Sequence, residues 1–244
     1  MAQPRTGAVT RAAAVVLAVV AGVHLVAQIT GYQPLIDLSH VLVAPAVGWL
    51  LWTVTAAPRG VLVWLTFAGL GLSWLGDAVP RLLSGETAFL TMLSFFFLAQ
   101  LVYAVAFVPY RARCALTRPA WMLPYVGGAV VIILLCASAT GPLLPALIGY
   151  AAAIMAMAVL ATGLGHRAAL GGGLFVVADA LIALDVFDVL ELPGHGFVAM
   201  ACYIGAQTLL VLGVRDQWSR NRAAATGTLA YQNEEFSSRE AGRG

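Results

Sequence analysis

An all-α, polytopic membrane bundle of eight transmembrane helices is the fold this sequence predicts, and three observations predict it. The first is composition. Of 244 residues, 61% are hydrophobic and only 10% are charged, whereas soluble domains carry about 25% charged and about 45–50% apolar residues. The second is a succession of eight apolar runs, each close to the roughly 20 residues needed to cross a bilayer. The third is the placement of arginine. If eight helices alternate, Arg5, Arg11, Arg59, Arg111, Arg113, Arg118, Arg167, Arg215, Arg220 and Arg222 fall on one side and Arg81 alone falls on the other. Dropping one span would scatter the arginines over both sides, so the charge pattern supports the count. The positive-inside rule then places both termini in the cytoplasm of a multi-pass cell-membrane protein.

The first run, 12–30, has a basic start and an apolar middle like a signal peptide. It continues past Val26, and no convincing small-x-small site precedes an exported domain, so it reads as an uncleaved helix. The next spans are 38–57, after the turn "TGYQP", 61–80, after "APRG", and 88–109, after "LLSGET". The longest break, "YRARCALTRP", precedes 120–138. Then come 143–163 after "ATGP", 169–188 after "GLGHR", and 196–214 after "ELPGHG". One transmembrane domain, 1–215, results. Beyond it the chain turns polar, with Gly, Ser and mixed charges, and 216–244 is expected as a disordered cytoplasmic tail.

Composition also excludes chemistry. Every basic side chain apart from histidine is Arg, so mechanisms needing a Schiff-base or general-base lysine are ruled out. The three cysteines, Cys114, Cys136 and Cys202, show no CxxC spacing and read as small core residues. The scattered histidines, His24, His40, His166 and His195, do not spell a zinc site, which needs about three or four converging ligands. No metal, cofactor or nucleic-acid partner is expected, and oligomeric state is left open.

The informative residues are polar ones inside the spans. A charge at the bilayer centre costs about 2.5–3.5 kcal/mol on insertion scales, so an intramembrane carboxylate is a functional candidate by default. Asp179 lies near the middle of the seventh run with only apolar helical neighbours, Phe175, Val176, Ile182 and Ala183. A carboxyl without a partner there favours its neutral form. Asp77 lies toward the outer end of the third helix with Arg81 four residues on. An ordinary i,i+4 ion pair is one explanation of it. The other is that Asp77, held ionised by Arg81, converges with Asp179 on one pocket. Asp37, Asp185, Asp188 and Glu191 sit at outer helix ends, where solvation accounts for them.

Gln100 and Tyr103 share a face of helix four, Tyr150 and Met157 stand seven apart on helix six, and Tyr203 and Gln207 are i,i+4 on helix eight. Singly, each fits routine interhelical hydrogen bonding; as a set they suggest a polar cavity. The stretch "GGGLF" at 171–175 has no preceding strand and reads as close helix packing. "GLSWLGDAV" (71–79) aligns with "GLFVVADAL" (173–181), and Ala99-Gln100 with Ala206-Gln207, which raises the possibility of two parallel four-helix repeats.

In order along the chain, "SWLGD" with Ser73, Gly76 and Asp77, "FFFLAQLVYAVAF" on helix four, "YAAAIMAM", "GGGLFVVADALIAL" and "YIGAQTLLVLG" resemble the YhhN family of eight-helix membrane proteins, which contains the lysoplasmalogenases. The resemblance covers nearly the whole chain apart from the tail. It implies hydrolysis of the vinyl-ether bond of a lysoplasmalogen lipid, releasing a fatty aldehyde and a glycerophospho-headgroup. By motif, Asp77 and Asp179 are the implied catalytic pair, with Asp179 taken as acid and Asp77 as base. Ser73, His40, Gln100, Tyr103, Tyr150, Tyr203 and Gln207 are taken to line the lipid site. The chain departs from the pattern twice: "SHVLVAP" has His40-Val41 where the family often has Lys-Pro, and Gln100 stands where it has His. A proton-coupled transporter and a non-catalytic lipid-binding member of the fold are the competing readings.

Overall fold

The computed structural model describes residues 4–117, 123–190 and 193–241. Among the described residues each of the eight apolar runs contributes a helix: α1 Pro4–Thr30, α2 Gln33–Val54, α3 Val61–Ala78, α4 Gly85–Phe107, α5 Leu123–Thr140, α6 Leu144–Ala161, α7 His166–Val186 and α8 His195–Ala241. Seven of these regions are long and apolar enough to cross a membrane. The described apolar stretch of α5, 126–137, is shorter. With no water in the bilayer to satisfy backbone groups, a helix that bonds its own backbone is the fit solution for such runs. Short 3-10 turns finish several of them, as at Val79–Leu82 and Val108–Arg113, each with a proline as its second residue. Arg118 and Glu191 lie outside the described residues.

The main packing pairs are α7 with α8, α3 with α4, and α1 with α2, while α4 on α6 joins the two groups. Outward faces stay apolar: Val15, Val19, Val26, Val105 and Leu134 each expose more than half their surface. That pattern suits a lipid environment and would be costly in water.

Small residues set the helix spacing. A Cβ on Gly171 would lie 2.8 Å from the Leu210 nitrogen and 2.9 Å from the Ala206 carbonyl oxygen of α8. Close packing is therefore what the "GGGLF" stretch provides, as its sequence predicts. Gly171→Val is expected to lower the melting temperature of the detergent-solubilised protein, at a cost of about 1–3 kcal/mol from overpacking. Gly173→Ala, which meets nothing within 4 Å, is expected to leave it unchanged. Equal behaviour of the two variants would refute the packing role.

The eighth helix differs from expectation. The boundary placed at 216 falls inside α8, which continues through the polar segment to Ala241. Its first polar turns are packed. Gln217 is buried, Arg220 donates to the Leu164 carbonyl, Asn221 donates to the Tyr110 hydroxyl at 2.9 Å, and Arg167 pairs with Asp216 at 3.1 Å. The residues beyond Arg215 include good helix formers, Ala, Arg, Gln and Glu, so polarity marks where the chain leaves the bilayer and not where the helix stops.

The same contacts gather the arginine-bearing connections at one end of the bundle. There Arg59 lies 3.6 Å over the Trp52 ring and donates to the carbonyls of Trp52 and Thr55, closing the C-terminus of α2. Arg81 stands apart at the other end.

Candidate functional site

The polar residues collect toward the Arg81 end. His40, Tyr150 and Tyr203 lie about two turns after the starts of α2, α6 and α8, and Asp179 lies about two turns before the end of α7. At 1.5 Å per residue that is a common depth of roughly 10 Å below the helix ends. Asp77, one residue from the end of α3, is at the same end of the bundle.

Asp77 is buried and is held from two sides. The Tyr203 hydroxyl donates to one carboxylate oxygen at 2.9 Å, and His40 Nε2 lies 3.1 Å from the other. One turn earlier on α3, the Ser73 hydroxyl takes a hydrogen bond of 3.2 Å from the Gln207 amide. The Gln207 amide oxygen accepts from the Tyr103 hydroxyl at 2.9 Å. The i,i+4 pairs Ser73–Asp77 and Tyr203–Gln207 thus face each other across the α3–α8 contact, and all five side chains, Tyr103 included, are buried. Gly76 makes room beside them: a Cβ there would meet the Phe96 ring at 2.8 Å.

The expected pairing of Asp77 with Arg81 does not occur. Arg81 Nε donates to the Asp77 main-chain oxygen at 2.9 Å, closing the helix end. Its guanidinium pairs with the carboxylate of Asp37. The reason is directional. Asp77 projects from the buried face of α3, whereas Arg81 belongs to the 3-10 turn beyond it and reaches the more exposed Asp37. His40, which stands where the family often has Lys, occupies the place beside Asp77 that the i,i+4 spacing gives to Arg81.

Asp179 has a different setting. It is half-buried and accepts a hydrogen bond from the Tyr150 hydroxyl. Both side chains line a narrow cleft of about 100 Å³, whose walls include Phe89, Leu93, Phe96, Leu147, Ile154 and Val186. Asp179 is the one carboxylate on that wall, and Asp77 is not on it. Asp77 is instead enclosed between Tyr203 and His40. The two carboxylates remain within electrostatic reach. Phe96 belongs to both settings, since it lines the cleft and packs on Gly76 and on Tyr203, with ring centroids 5.9 Å apart in the latter pair.

Gln100 is fully buried, and neither amide atom makes a hydrogen bond of normal geometry, although it lies beside the Tyr150 hydroxyl. Sequence reasoning gave little weight to His24 and omitted Gln28. His24 is fully buried, bonds the Ser39 hydroxyl at 2.9 Å, lies 3.3 Å from the Gln28 amide, and sets its ring edge-on to His40 at 5.2 Å. The signal was present as an i,i+4 polar pair inside an apolar run. Among the described residues no three His, Cys, Asp or Glu side chains are grouped to hold a metal ion.

The model of the YhhN family matches residues 38–214. This chain belongs to the YhhN family. The matched region runs from α2 to the last turn before Arg215, so it contains both aspartates and all the candidate lining residues, while His24 and Gln28 lie on α1 before it. Searches of curated proteins and of solved structures return no match.

Proposed function

We propose that this YhhN-family protein is a membrane hydrolase that cleaves the vinyl-ether bond of lysoplasmalogen-type lysophospholipids. The observation that carries the reading is the cleft: a long apolar surface interrupted by one carboxyl, Asp179, with a tyrosine hydroxyl bonded to it. An amphiphile with a single alkyl chain suits such walls, and a carboxyl in an apolar site suits proton donation to carbon. YhhN membership points to the same chemistry.

The reaction begins when the Asp179 carboxyl gives its proton to the alkene carbon remote from the ether oxygen. The double-bond electrons form the new C–H bond, and an oxocarbenium ion results. Water adds to the cationic carbon and returns a proton to the Asp179 carboxylate, so one residue serves as acid and then as base. The hemiacetal then collapses, its hydroxyl proton passing to the departing oxygen. The products are a fatty aldehyde and a glycerophospho-alcohol, with one water consumed. Tyr150 orients the Asp179 carboxyl. Asp77, held by Tyr203 and His40, supplies a fixed negative charge that favours the cation, the kind of preorganised electrostatics that lowers barriers most. In this reading the arginine-bearing end faces the cytoplasm and the lipid enters from the opposite leaflet.

The test is aldehyde release by purified protein in detergent, with the saturated alkyl-ether lysolipid as control. Aldehyde from the vinyl ether and none from the alkyl ether is the expected result. Binding of both lipids without aldehyde would favour a non-catalytic lipid-binding protein, and substrate-dependent proton flux in proteoliposomes would favour a transporter.

A further inference from the structure

A second cavity lies at the opposite, arginine-bearing end. Its volume is about 340 Å³, at the lower end of the range of small-molecule sites. The start of α3 gives it Val61, Leu62 and Leu65, the end of α4 gives Val105 and Ala106, and the extramembrane turns of α8 give Trp218 and Arg222. One wall is therefore apolar and faces the lipid side, where Val61 and Val105 are among the most exposed large hydrophobics. The other wall is polar.

The polar wall offers donors. The Trp218 indole N–H is buried and has no acceptor. The Tyr110 hydroxyl accepts from Asn221, which leaves its own hydrogen free to donate. The Arg222 guanidinium stacks 4.9 Å from the Trp218 ring centroid and reaches the Ala57 carbonyl at a marginal 3.5 Å. It has no carboxylate partner among the described residues. No Asp or Glu lines the cavity. Nearby Asp216 is taken by Arg167 and Arg215. A buried donor without an acceptor is costly, and a set of donors around an unpaired cation is complementary to an anion.

Depth fixes the kind of anion. Trp218 is four residues, about 6 Å, beyond Val214, the last residue of the eighth apolar run. The cavity thus straddles the boundary at which lipid phosphates lie, and tryptophan and arginine are the side chains that anchor there. We propose that this cavity binds one anionic phospholipid of the surrounding leaflet. Its phosphate sits against Arg222, Trp218 and Tyr110, and an acyl chain lies along the groove between α3 and α4. With no carboxylate in the wall to receive an amine, the site prefers a net-negative head to a zwitterionic one.

The proposal is independent of the hydrolase reading and is tested without any activity assay. Delipidated full-length protein is titrated with phosphatidylglycerol or phosphatidylcholine and followed by native mass spectrometry. One phosphatidylglycerol is expected to be retained in preference to phosphatidylcholine. Arg222→Gln should weaken retention about fivefold, and Trp218→Phe, which keeps the ring and loses the donor, by about threefold. Tyr110→Phe provides a third reading should either variant fold poorly by gel filtration. Arg215→Gln removes the same charge from outside the cavity and should bind like wild type. Equal retention of the two lipids, no loss in Arg222→Gln, or an equal loss in Arg215→Gln would each overturn the site.

Discussion

Asp179→Asn is expected to slow aldehyde release by about a hundredfold or more, the lower end of what a positioned acid contributes. The amide is nearly isosteric with the carboxyl and still offers Tyr150 an acceptor, so the α6–α7 contact should survive. What it lacks is a proton acidic enough to reach carbon. The walls of the cleft, Phe89, Leu93, Leu147 and their neighbours, are untouched, so KM should change little while kcat falls. Tyr150→Phe should cost less, about tenfold. It leaves the acid in place and removes only the hydrogen bond that orients it. Initial rates of aldehyde trapping across a lysoplasmalogen series give both parameters. Wild-type kcat in Asp179→Asn would eliminate the acid assigned here, and a rise in KM alone would reassign the residue to binding.

The spans were legible because an apolar run long enough to cross a bilayer has few other fates. Seven of the eight coincide with helices long and apolar enough to span, and the oddity of Asp77 and Asp179 was visible for the same reason: a carboxylate stands out in a chain with so little charge. What could not be read was direction. The i,i+4 spacing of Asp77 and Arg81 predicts an ion pair, but the helix ends between them, and the two side chains leave on different faces. The true partners, His40 and Tyr203, come from α2 and α8, where sequence spacing carries no information. Hydropathy also stopped reporting once the chain left the membrane. The segment after Arg215 reads as a polar tail, yet Arg220 and Asn221 fasten its first turns to the connections beside Leu164 and Tyr110. Cleft walls were the least legible feature, because Phe96 or Ile154 is indistinguishable by composition from any lipid-facing residue.

The Asp77 site calls for two substitutions read together. Asp77→Ala removes the acceptor shared by Tyr203 and His40 and leaves the buried Tyr203 hydroxyl without that bond. Leaving a buried donor without its acceptor costs about 1–3 kcal/mol, and a loss of that size is expected, seen as a lower melting temperature. Asp77→Asn keeps an acceptor for Tyr203 and deletes only the charge, so its melting temperature should stay near wild type. Its aldehyde release should nonetheless fall at least tenfold, because the fixed negative charge behind the cleft is gone. His40→Gln, alone and combined with Asp77→Asn, completes a cycle. If the pair acts as a unit, the double variant should lose less than the summed effects of the singles, with a coupling of about 1 kcal/mol in the activation barrier. Additive losses would separate His40 from Asp77, and an Asp77→Asn variant with full activity would make that carboxylate a structural tie between α3 and α8 and leave Asp179 to act without it.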